Sequence, residues 1–301
     1  MIVVGAGMAG MLAATMLRGE VTAIVERQDE LPNNHSAVLR FRTKAVSEAT
    51  NIAFKEVDVI KAIATYRNPI ADAVAYSMKT NGTARLRSIK NGSEIVKRYI
   101  APRDFIEQLY RRTPCPIAYG QSFSAVGLEG EKVISTIPMP ILMQLLGWVA
   151  RSDFRSNHGT NIRIDLGPKV DLYCSLYVPD PELPFSRISV TGEEMILECT
   201  ETLDTQRAHA AAEAALGLVG IPAGPYSYYV TEQKYAKILP IDEAERKEFI
   251  MYASQVHGIY SLGRFATWRP GLLLDDVVND VRVIQRLISN RAARYDHLKK
   301  D

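Results

Sequence analysis

Three glycines near the N-terminus have the spacing of a turn that binds phosphate groups. Gly5, Gly7 and Gly10 follow a short apolar run at residues 1–4, in the sequence G-A-G-M-A-G. Gly5 would permit a tight turn, Gly7 would let the backbone approach a diphosphate, and Gly10 would let a helix pack closely on a strand. Because the N-terminus of a helix attracts anions, we predict that this turn holds the diphosphate of a dinucleotide.

The residues that follow the glycines extend this prediction. Met8 and Ala9 would supply backbone N–H groups at the start of the helix, facing the diphosphate. A second apolar run at residues 21–25 ends at Glu26, sixteen residues past the last glycine. The Glu26 carboxylate could accept hydrogen bonds from both hydroxyls of an adenosine ribose, and it would repel the 2′-phosphate of NADP. We include the neighbouring Arg27 among the residues expected at the cofactor.

The elements that must position these residues come from both ends of the chain. An NAD dehydrogenase would continue with further βαβ units after this acid, whereas residues 31–35 have the composition of a loop. Buried strands are predicted again only at residues 132–140 and at residues 258–264. Asp275 and Asp276 are then expected to cap a helix with one apolar face. Segments from the two ends of the chain and one from its middle would together build a domain suited to a long dinucleotide.

These motifs resemble those of the flavoprotein group that contains amine oxidases, protoporphyrinogen oxidases and UDP-galactopyranose mutases. Residues 5–27 match the opening motif of the group, and residues 133–138 (VISTIP) resemble its strand near the adenine. Residues 260–268 (YSLGRFATW) resemble its C-terminal motif, and residues 177–187 resemble a connection between two of its strands. The resemblance implies FAD as the cofactor.

The resemblance also implies roles for residues at the C-terminal motif. Gly263 would let the backbone pass close to the diphosphate, and Arg264 would neutralise its charge. The helix start formed by Leu273, Leu274 and Asp275 would lie near the N1–C2=O edge of the flavin, where the helix dipole stabilises an anionic reduced ring.

The sequence departs from the group shortly after the glutamate. The usual Gly-Gly-Arg is absent, and residues 32–35 (PNNH) stand in its place. We predict that Arg40 or Arg42 replaces the missing arginine at the cofactor. By the same resemblance, His35 lies where the chain approaches the isoalloxazine ring, the alternative being a loop histidine bonded to backbone.

We predict an α/β protein with a Rossmann-like FAD-binding domain and an inserted α+β substrate domain. The first comprises residues 1–40, 101–150 and 256–301, and the second comprises residues 41–100 and 151–255. The substrate domain would be built on an antiparallel sheet. Its predicted strands lie at residues 161–166, 171–178, 186–191, 195–200 and 230–238, and its predicted helices at residues 205–218 and 241–256.

The candidate catalytic residues lie near the expected flavin. The sequence shows no Ser/His/Asp or Cys/His motif for nucleophilic catalysis and no spacing of metal ligands. Because a flavin carries the redox step, the protein needs only to bind and orient the substrate and tune the cofactor. Lys234 and Tyr235 are candidates for the pocket, with a solvated strand lysine and an ordinary sheet-core tyrosine as alternatives. Trp268 is the aromatic residue that we most expect beside the flavin.

Positive charge is concentrated between residues 79 and 112. Nine basic residues, Arg85 and Arg87 among them, stand there against three acidic ones. Such a face would bind a polyanion such as nucleic acid, and the alternative is a solvated surface. Residues 38–47 and the short chain are similar to small phage-encoded flavoproteins, some of which oxidise a glycine-like amine on thymidine during hypermodification. That resemblance would give the basic stretch a DNA partner.

The composition disfavours several other classes of protein. A formal net charge of +2 does not by itself indicate a nucleic-acid binder, and three widely spaced cysteines indicate neither a disulfide framework nor a metal site. No apolar run approaches the ~18 residues of a membrane span, and no basic leader precedes the first strand. We therefore expect a cytoplasmic protein with no metal ion and no membrane partner.

The sequence thus predicts an FAD-dependent oxidoreductase that oxidises a C–N bond of an amine or amino-acid-like group. The substrate would be a small amine or a modified nucleotide, with a glycine-type adduct on thymidine in phage DNA as one candidate. The expected chemistry is hydride transfer from the carbon beside a neutral amine to flavin N5, then imine hydrolysis and reoxidation of the flavin by O₂. The alternatives are a mutase-like reaction on a sugar nucleotide without net redox, and a flavin-binding module without turnover.

Overall fold

Two β-sheets organise the part of the chain that the computed structural model describes. This part comprises residues 1–31, 38–64, 67–84, 93–124 and 130–298, and the side chains of residues 234, 235 and 291–298 lie outside the description. One sheet is parallel, and the other, larger sheet is mixed. The fold is therefore of the α/β class, as predicted.

The parallel sheet contains the strand that leads into the glycine turn. Its strands are β1 (Ile2–Val4), β2 (Ala23–Val25), β6 (Ile117–Ala118), β7 (Val133–Ser135) and β13 (Ile259–Ser261). Their order in the sheet is β13-β7-β1-β2-β6. In this register Val3 lies opposite Ile24 on one side and Ile134 on the other. The carboxyl ends of strands from both chain ends thus meet at one edge.

Helices cover both faces of this sheet, which explains why its strands are apolar at successive positions. Val3 and Ile134 belong to the core on one face, and Val4 and Val133 belong to the core on the other. The helices of the first core are α1 (Met8–Met16), α2 (Ala45–Thr50), α4 (Phe105–Arg112) and α8 (Leu274–Leu298). Those of the second core are α5 (Met139–Leu145) and α7 (Glu243–Val256).

The mixed sheet forms the second half of the fold. Its strands are β3 (Arg40–Phe41), β4 (Lys55–Ile63), β5 (Glu94–Ile100), β8 (Ser156–Asp165), β9 (Leu172–Tyr177), β10 (Phe185–Gly192), β11 (Glu194–Cys199) and β12 (Ser227–Ile238). Their order is β12-β8-β11-β10-β9-β4-β5-β3. The antiparallel pairing predicted for the later strands is confirmed, and β4 joins β9 in parallel. The predicted domain boundaries stay a prediction.

Helix α6 (Thr205–Val219) covers one face of the mixed sheet. Its alanine stripe, which includes Ala208 and Ala212, belongs to one buried cluster with Ile188 and Val190 of β10. Because side chains alternate along a strand, this packing leaves Arg187, Ser189 and Thr191 of β10 on the opposite face. We call that opposite face the inward face.

Helix α3 (Pro69–Asn81) was not predicted from the sequence. Asn68 caps it by accepting hydrogen bonds from the N–H groups of Ile70 and Ala71, and Gly82 ends it with a left-handed φ of 68°. Asparagine and proline at the start and glycine at the end are the usual signals of helix boundaries. The sequence therefore contained the information needed to find this helix.

Candidate functional site

The turn after β1 has no room for side chains at two of its glycines. Gly5 has a φ of +98°, and a Cβ atom there would lie 2.0 Å from Oγ1 of Thr136. A Cβ atom on Gly10 would lie 2.0 Å from the carbonyl oxygen of Gly5. Thr136, which follows β7, donates a 2.8 Å hydrogen bond from Oγ1 to the carbonyl oxygen of Val4. The strand, the turn and α1 are therefore packed as closely as a phosphate-binding turn requires.

The middle glycine differs from the other two. Gly7 has an ordinary extended conformation (φ −68°, ψ 173°), and a Cβ atom there would have no heavy atom within 4 Å. Helix α1 begins at Met8 with no side-chain cap and no acidic residue in its first turn. The N–H groups of Met8, Ala9 and Gly10 thus form a positive helix end beside open space, which suits an anion.

Glu26 is hydrogen-bonded to the glycine turn. Its Oε2 atom accepts a 2.7 Å bond from the N–H of Ala6, and its Oε1 atom accepts a 2.9 Å bond from the N–H of Gln28. The side chain remains half-buried, and Arg27 beside it is exposed. Since a carboxylate has about four acceptor sites, Glu26 can still receive the hydroxyls of a ribose.

A second glycine turn reaches the same helix start from the other end of the chain. Gly263 has a φ of +90°, and a Cβ atom there would lie 3.1 Å from Cβ of Ala9. The turn is held to the parallel sheet by the N–H of Leu262, which donates a 2.8 Å bond to the carbonyl oxygen of Ser135. Next to it, Arg264 is half-buried, and burial lowers the pKa of its guanidinium.

The start of α8 is joined to the segment after β3. The buried Asp275 carboxylate accepts bonds from the N–H and Oγ1 of Thr43, at 2.9 and 2.7 Å, and from the N–H of Arg42 at 3.2 Å. Asp276 caps the helix through the N–H of Leu273 at 2.9 Å. The cap predicted at Asp276 is confirmed, whereas Asp275 serves a long-range contact instead.

The side chains around this junction differ in exposure. Those of Arg42 and Leu273 are exposed, and that of Leu274 is half-buried. A cavity of about 510 Å³ lies beside the helix start and is lined in part by Trp268, Leu272 and Asp276. Leu272 and Asp276, which flank the segment predicted to face the flavin edge, therefore border open space.

Arg40 lies within the mixed sheet. Its guanidinium donates to Oγ of Ser175 and to the carbonyl oxygens of Cys174, at 3.0 Å, and Val190, at 3.4 Å. Burial, and second to it the charge of Arg187, lower its pKa to about 10. These bonds fix Arg40 on the inward face, and its predicted contact with the cofactor stays a prediction.

The candidate catalytic residues are placed as follows. His35 lies outside the described residues; Lys234 and Tyr235 belong to β12, and their side chains lie outside the description. The indole of Trp268 is 1% exposed, and its Nε1 donates a 2.9 Å bond to the carbonyl oxygen of Leu239. Its ring meets that of Phe154 edge-on at 4.9 Å. Trp268 is thus a core residue that also borders the cavity, and its place beside the flavin stays a prediction.

The basic stretch is distributed over several environments. Nζ of Lys79 donates to the carbonyl oxygens of Val178, Asp180 and Phe185 at 3.2, 2.6 and 2.7 Å. Arg103 pairs with Asp165 and Glu193, and Lys97 pairs with Glu56 and Asp58. Residues 85–92, which include Arg85 and Arg87, lie outside the described residues. Nucleic-acid binding stays a prediction.

Sequence reasoning did not single out the polar residues of the inward face. Arg187 of β10 is paired with Glu198 of β11, and Ser189 follows on the same face. The alternation of Arg187, Ser189 and Thr191 with apolar residues is the signal that could have identified them.

This architecture defines the class of protein. A parallel sheet carries two glycine turns at the start of one helix, and a mixed sheet stands beside it, as in the FAD-binding Rossmann-like oxidoreductases. No family model and no curated protein sequence matches the chain.

Solved structures confirm this fold. The chain is similar to a protoporphyrinogen oxidase-like protein from Exiguobacterium sp. 255-15, with a TM-score of 0.60 and 11% identity over 95% of this chain and 98% of that one. It is similar to p-nitrophenol 4-monooxygenase from Pseudomonas putida DLL-E4, with a TM-score of 0.54 and 12% identity over 96% and 79% of the two chains. For aklavinone-11 hydroxylase, solved with FAD and aklavinone, the TM-score is 0.57 and the identity 13%, over 98% of this chain and 62% of that one. The chain thus spans less than two thirds of the length of that hydroxylase.

Two further searches concern metals and membranes. Within the described ranges, no group of three or more His, Cys, Asp and Glu residues could hold a metal ion. Across the same ranges, no helix has both the length and the apolar character needed to span a bilayer.

Proposed function

We propose that the chain binds FAD, with the adenosine diphosphate half on α1 and Glu26. The observation that carries this proposal is the meeting of two glycine turns at one helix start. Gly263 approaches Ala9 so closely that a Cβ atom would lie 3.1 Å from Cβ of Ala9, while the space at Gly7 is open. A Cβ-free cradle beside uncapped N–H groups fits a diphosphate.

The residues of the chain would divide the binding of this cofactor between them. The N–H groups of Met8 and Ala9 would donate to the diphosphate, and Glu26 would accept from the ribose. Ala6 and Gln28 orient the Glu26 carboxylate by donating to its two oxygens. FAD, when bound, would supply the acceptor for two electrons and a proton from the substrate.

We propose further that the reaction is oxidation of a C–N bond in an amine or amino-acid-like group. The support is the resemblance of residues 5–27, 133–138 and 260–268 to the motifs of amine-oxidising flavoproteins. The inward face of the mixed sheet, which carries Arg187 and Glu198, would orient the substrate. A glycine-type adduct on thymidine in DNA is the most specific candidate, supported by the resemblance of residues 38–47 and by the basic stretch.

The experiment begins with the purified protein and the identity of its flavin. Acid release followed by chromatography should give FAD, and FMN alone, or no flavin after reconstitution, would contradict the proposal. The FAD-loaded protein is then mixed anaerobically with a panel of amines, including N-alkylglycines and a glycine-type thymidine nucleoside. Loss of the oxidised flavin absorbance on mixing supports amine oxidation.

Other outcomes would assign other functions. Reduction only by NADH or NADPH, with hydroxylation of an aromatic compound, would indicate a monooxygenase. Rearrangement of a sugar nucleotide only after dithionite reduction would indicate a mutase, and no response to any compound would leave a binding module. If the substrate is carried on DNA, turnover should fall steeply with salt, because each neutralised phosphate releases counterions.

A further inference from the structure

The inward face of the mixed sheet carries polar and charged side chains around Arg187. The cross-strand register places Arg187 opposite Tyr177 on β9 and opposite Glu198 on β11. The same register places Ser189 opposite Ser175. Because Ile188 and Val190 of the same strand pack under α6, these polar side chains point away from that helix.

Arg40 is fixed on this face beside the two serines. Its guanidinium donates to Oγ of Ser175 and to the carbonyl oxygens of Cys174 and Val190. Those bonds leave its charge in place, next to the Ser175–Ser189 pair, and burial, followed by the charge of Arg187, lowers the pKa of Arg40. Arg40 therefore adds positive charge to the inward face, while its described hydrogen bonds already go to groups of the protein.

Arg187 and Arg264 have donors to spare. Arg187 pairs with Glu198 through Nη2, yet its Nε is buried and has no hydrogen-bond partner among the described residues. The same holds for Nε of Arg264, which follows the second glycine turn. Burial lowers the pKa of the Arg264 guanidinium.

A buried neutral donor on the same face is also unsatisfied. Ser189 is 1% exposed, and its Oγ has no partner within the described part of the chain. Around Ser189 and Ser175, the guanidinium groups of Arg40 and Arg187 thus stand against one carboxylate, that of Glu198. Buried polar groups in proteins are nearly always paired, so the donors of Arg187 and Ser189 lack an acceptor.

We propose that Arg187 binds a carboxylate group of the substrate on the inward face. A planar guanidinium matches a carboxylate with two parallel hydrogen bonds, and Ser189 can donate a further one. The inference rests on the proposed function and narrows it to substrates that carry a carboxylate as well as an amine. A glycine-type group has both.

The test measures binding to the FAD-loaded protein by calorimetry, with acetate and benzoate as probes. Acetamide and benzamide serve as neutral probes of the same shape. We expect the carboxylates to bind at least tenfold more tightly than the amides. Arg187→Gln should weaken carboxylate binding at least tenfold and leave amide binding and FAD affinity unchanged.

The matched control is Arg163→Gln. Arg163 lies on the same face, since it pairs in register with Ile196 and Ile196 pairs with Ser189. It forms an ion pair with Glu194 at 3.6 Å and stacks over Tyr229 at 4.6 Å. This variant should bind acetate and benzoate like the wild type. If Arg187→Gln fails to fold because Glu198 loses its partner, the double variant R187Q/E198Q removes both charges and should show the same loss.

Two results would overturn the inference. One is equal binding of carboxylates and amides, including no binding of either. The other is a loss of FAD affinity in Arg187→Gln as large as the loss of carboxylate affinity, which would assign the anion to the cofactor diphosphate. Because calorimetry needs no turnover, carboxylate binding without amine oxidation would contradict only the proposed function. Amine oxidation without a carboxylate preference would contradict only this inference.

Discussion

The Oε2 atom of Glu26 lies 2.7 Å from the backbone nitrogen of Ala6. The acid that follows β2 is therefore bonded to the turn that follows β1, before any ligand binds. The Glu26 carboxylate therefore has two roles. It stabilises the glycine turn, and its remaining lone pairs can accept hydrogen bonds from a ribose.

Replacement of Glu26 should test both roles. We expect Glu26→Ala to weaken FAD binding about tenfold or more, since each charge-assisted hydrogen bond contributes about 1.5–3 kcal/mol. The apoprotein should also lose about 1–3 kcal/mol of stability, because the N–H of Ala6 is left unpaired. Flavin fluorescence titration and urea unfolding measure the two effects. Glu30→Ala, an exposed acid nearby, should change neither, and wild-type FAD affinity in Glu26→Ala would contradict the ribose contact.

Gly7 and Gly10 should separate cofactor binding from folding. Gly10→Ala places a Cβ atom 2.0 Å from a backbone oxygen, and overpacking of this kind costs about 1–3 kcal/mol. Gly7→Ala meets open space in the apoprotein, so its stability should stay within about 0.5 kcal/mol of the wild type. FAD binding should nevertheless be lost in Gly7→Ala, because the new methyl group occupies the diphosphate position. A Gly7→Ala protein that purifies with full FAD would show that the diphosphate lies elsewhere.

Gly263 can be compared with Gly19, which has the same φ of +90° but no heavy atom near the position of a Cβ. An alanine at either position should cost about 1–2 kcal/mol, the usual penalty for a left-handed conformation. Only Gly263→Ala also presses on Ala9 and should therefore reduce FAD affinity. Thermal unfolding of the apoproteins and FAD titration measure the two quantities. Equal FAD affinity in both variants would exclude Gly263 from the cofactor site.

Lys79 should give the folded protein a characteristic pH dependence. Burial lowers the pKa of Lys79 from 10.5 to about 8, although the charge of Asp180 opposes the shift. Between these two values the unfolded chain holds a proton that the folded chain has released, so the Lys79 contribution to the free energy of unfolding increases with pH. Lys79→Met should remove this increase between about pH 8 and pH 10.5. Urea unfolding of both proteins across that range measures it.

Lys97 provides the control of opposite sign. It is exposed, and Glu56 and Asp58 raise its pKa above 10.5. Its contribution to stability is present at lower pH and is lost as the pH rises through the raised pKa. Lys97→Met should therefore retain the increase that Lys79→Met removes. Parallel pH profiles for wild type and Lys79→Met would show that Lys79 keeps its proton.

The parts of the fold that are determined by neighbouring residues in the sequence could be predicted. The β1–α1–β2 unit has an apolar strand, a glycine turn and a helix of small residues in immediate succession, and β7 and β13 are short apolar runs that end in turns. The helices α6 and α7 were likewise predicted near their observed bounds. In each case the signal lies within about twenty residues.

The parts that depend on distant contacts were not predictable. The described hydrogen bonds of Arg40 go to residues at least 134 positions away in sequence. No pattern of neighbouring residues indicates the parallel pairing of β4 with β9. The same is true of the hydrogen bond from Thr43 to Asp275. The inward face could be identified only after the packing of α6 had fixed which side of β10 is apolar.

The meeting of two glycine turns also sets the order of events during biosynthesis. Gly5 and Gly263 are about 260 residues apart, so at about 5–20 residues per second the ribosome adds Gly263 some 13–50 s after Gly5. Until then β7 has no β13 on its outer side, and an unpaired strand edge invites association with other chains. Cofactor binding must therefore occur late in the synthesis of the chain or after it. Chaperone protection during that interval would bear directly on the yield of flavin-loaded protein.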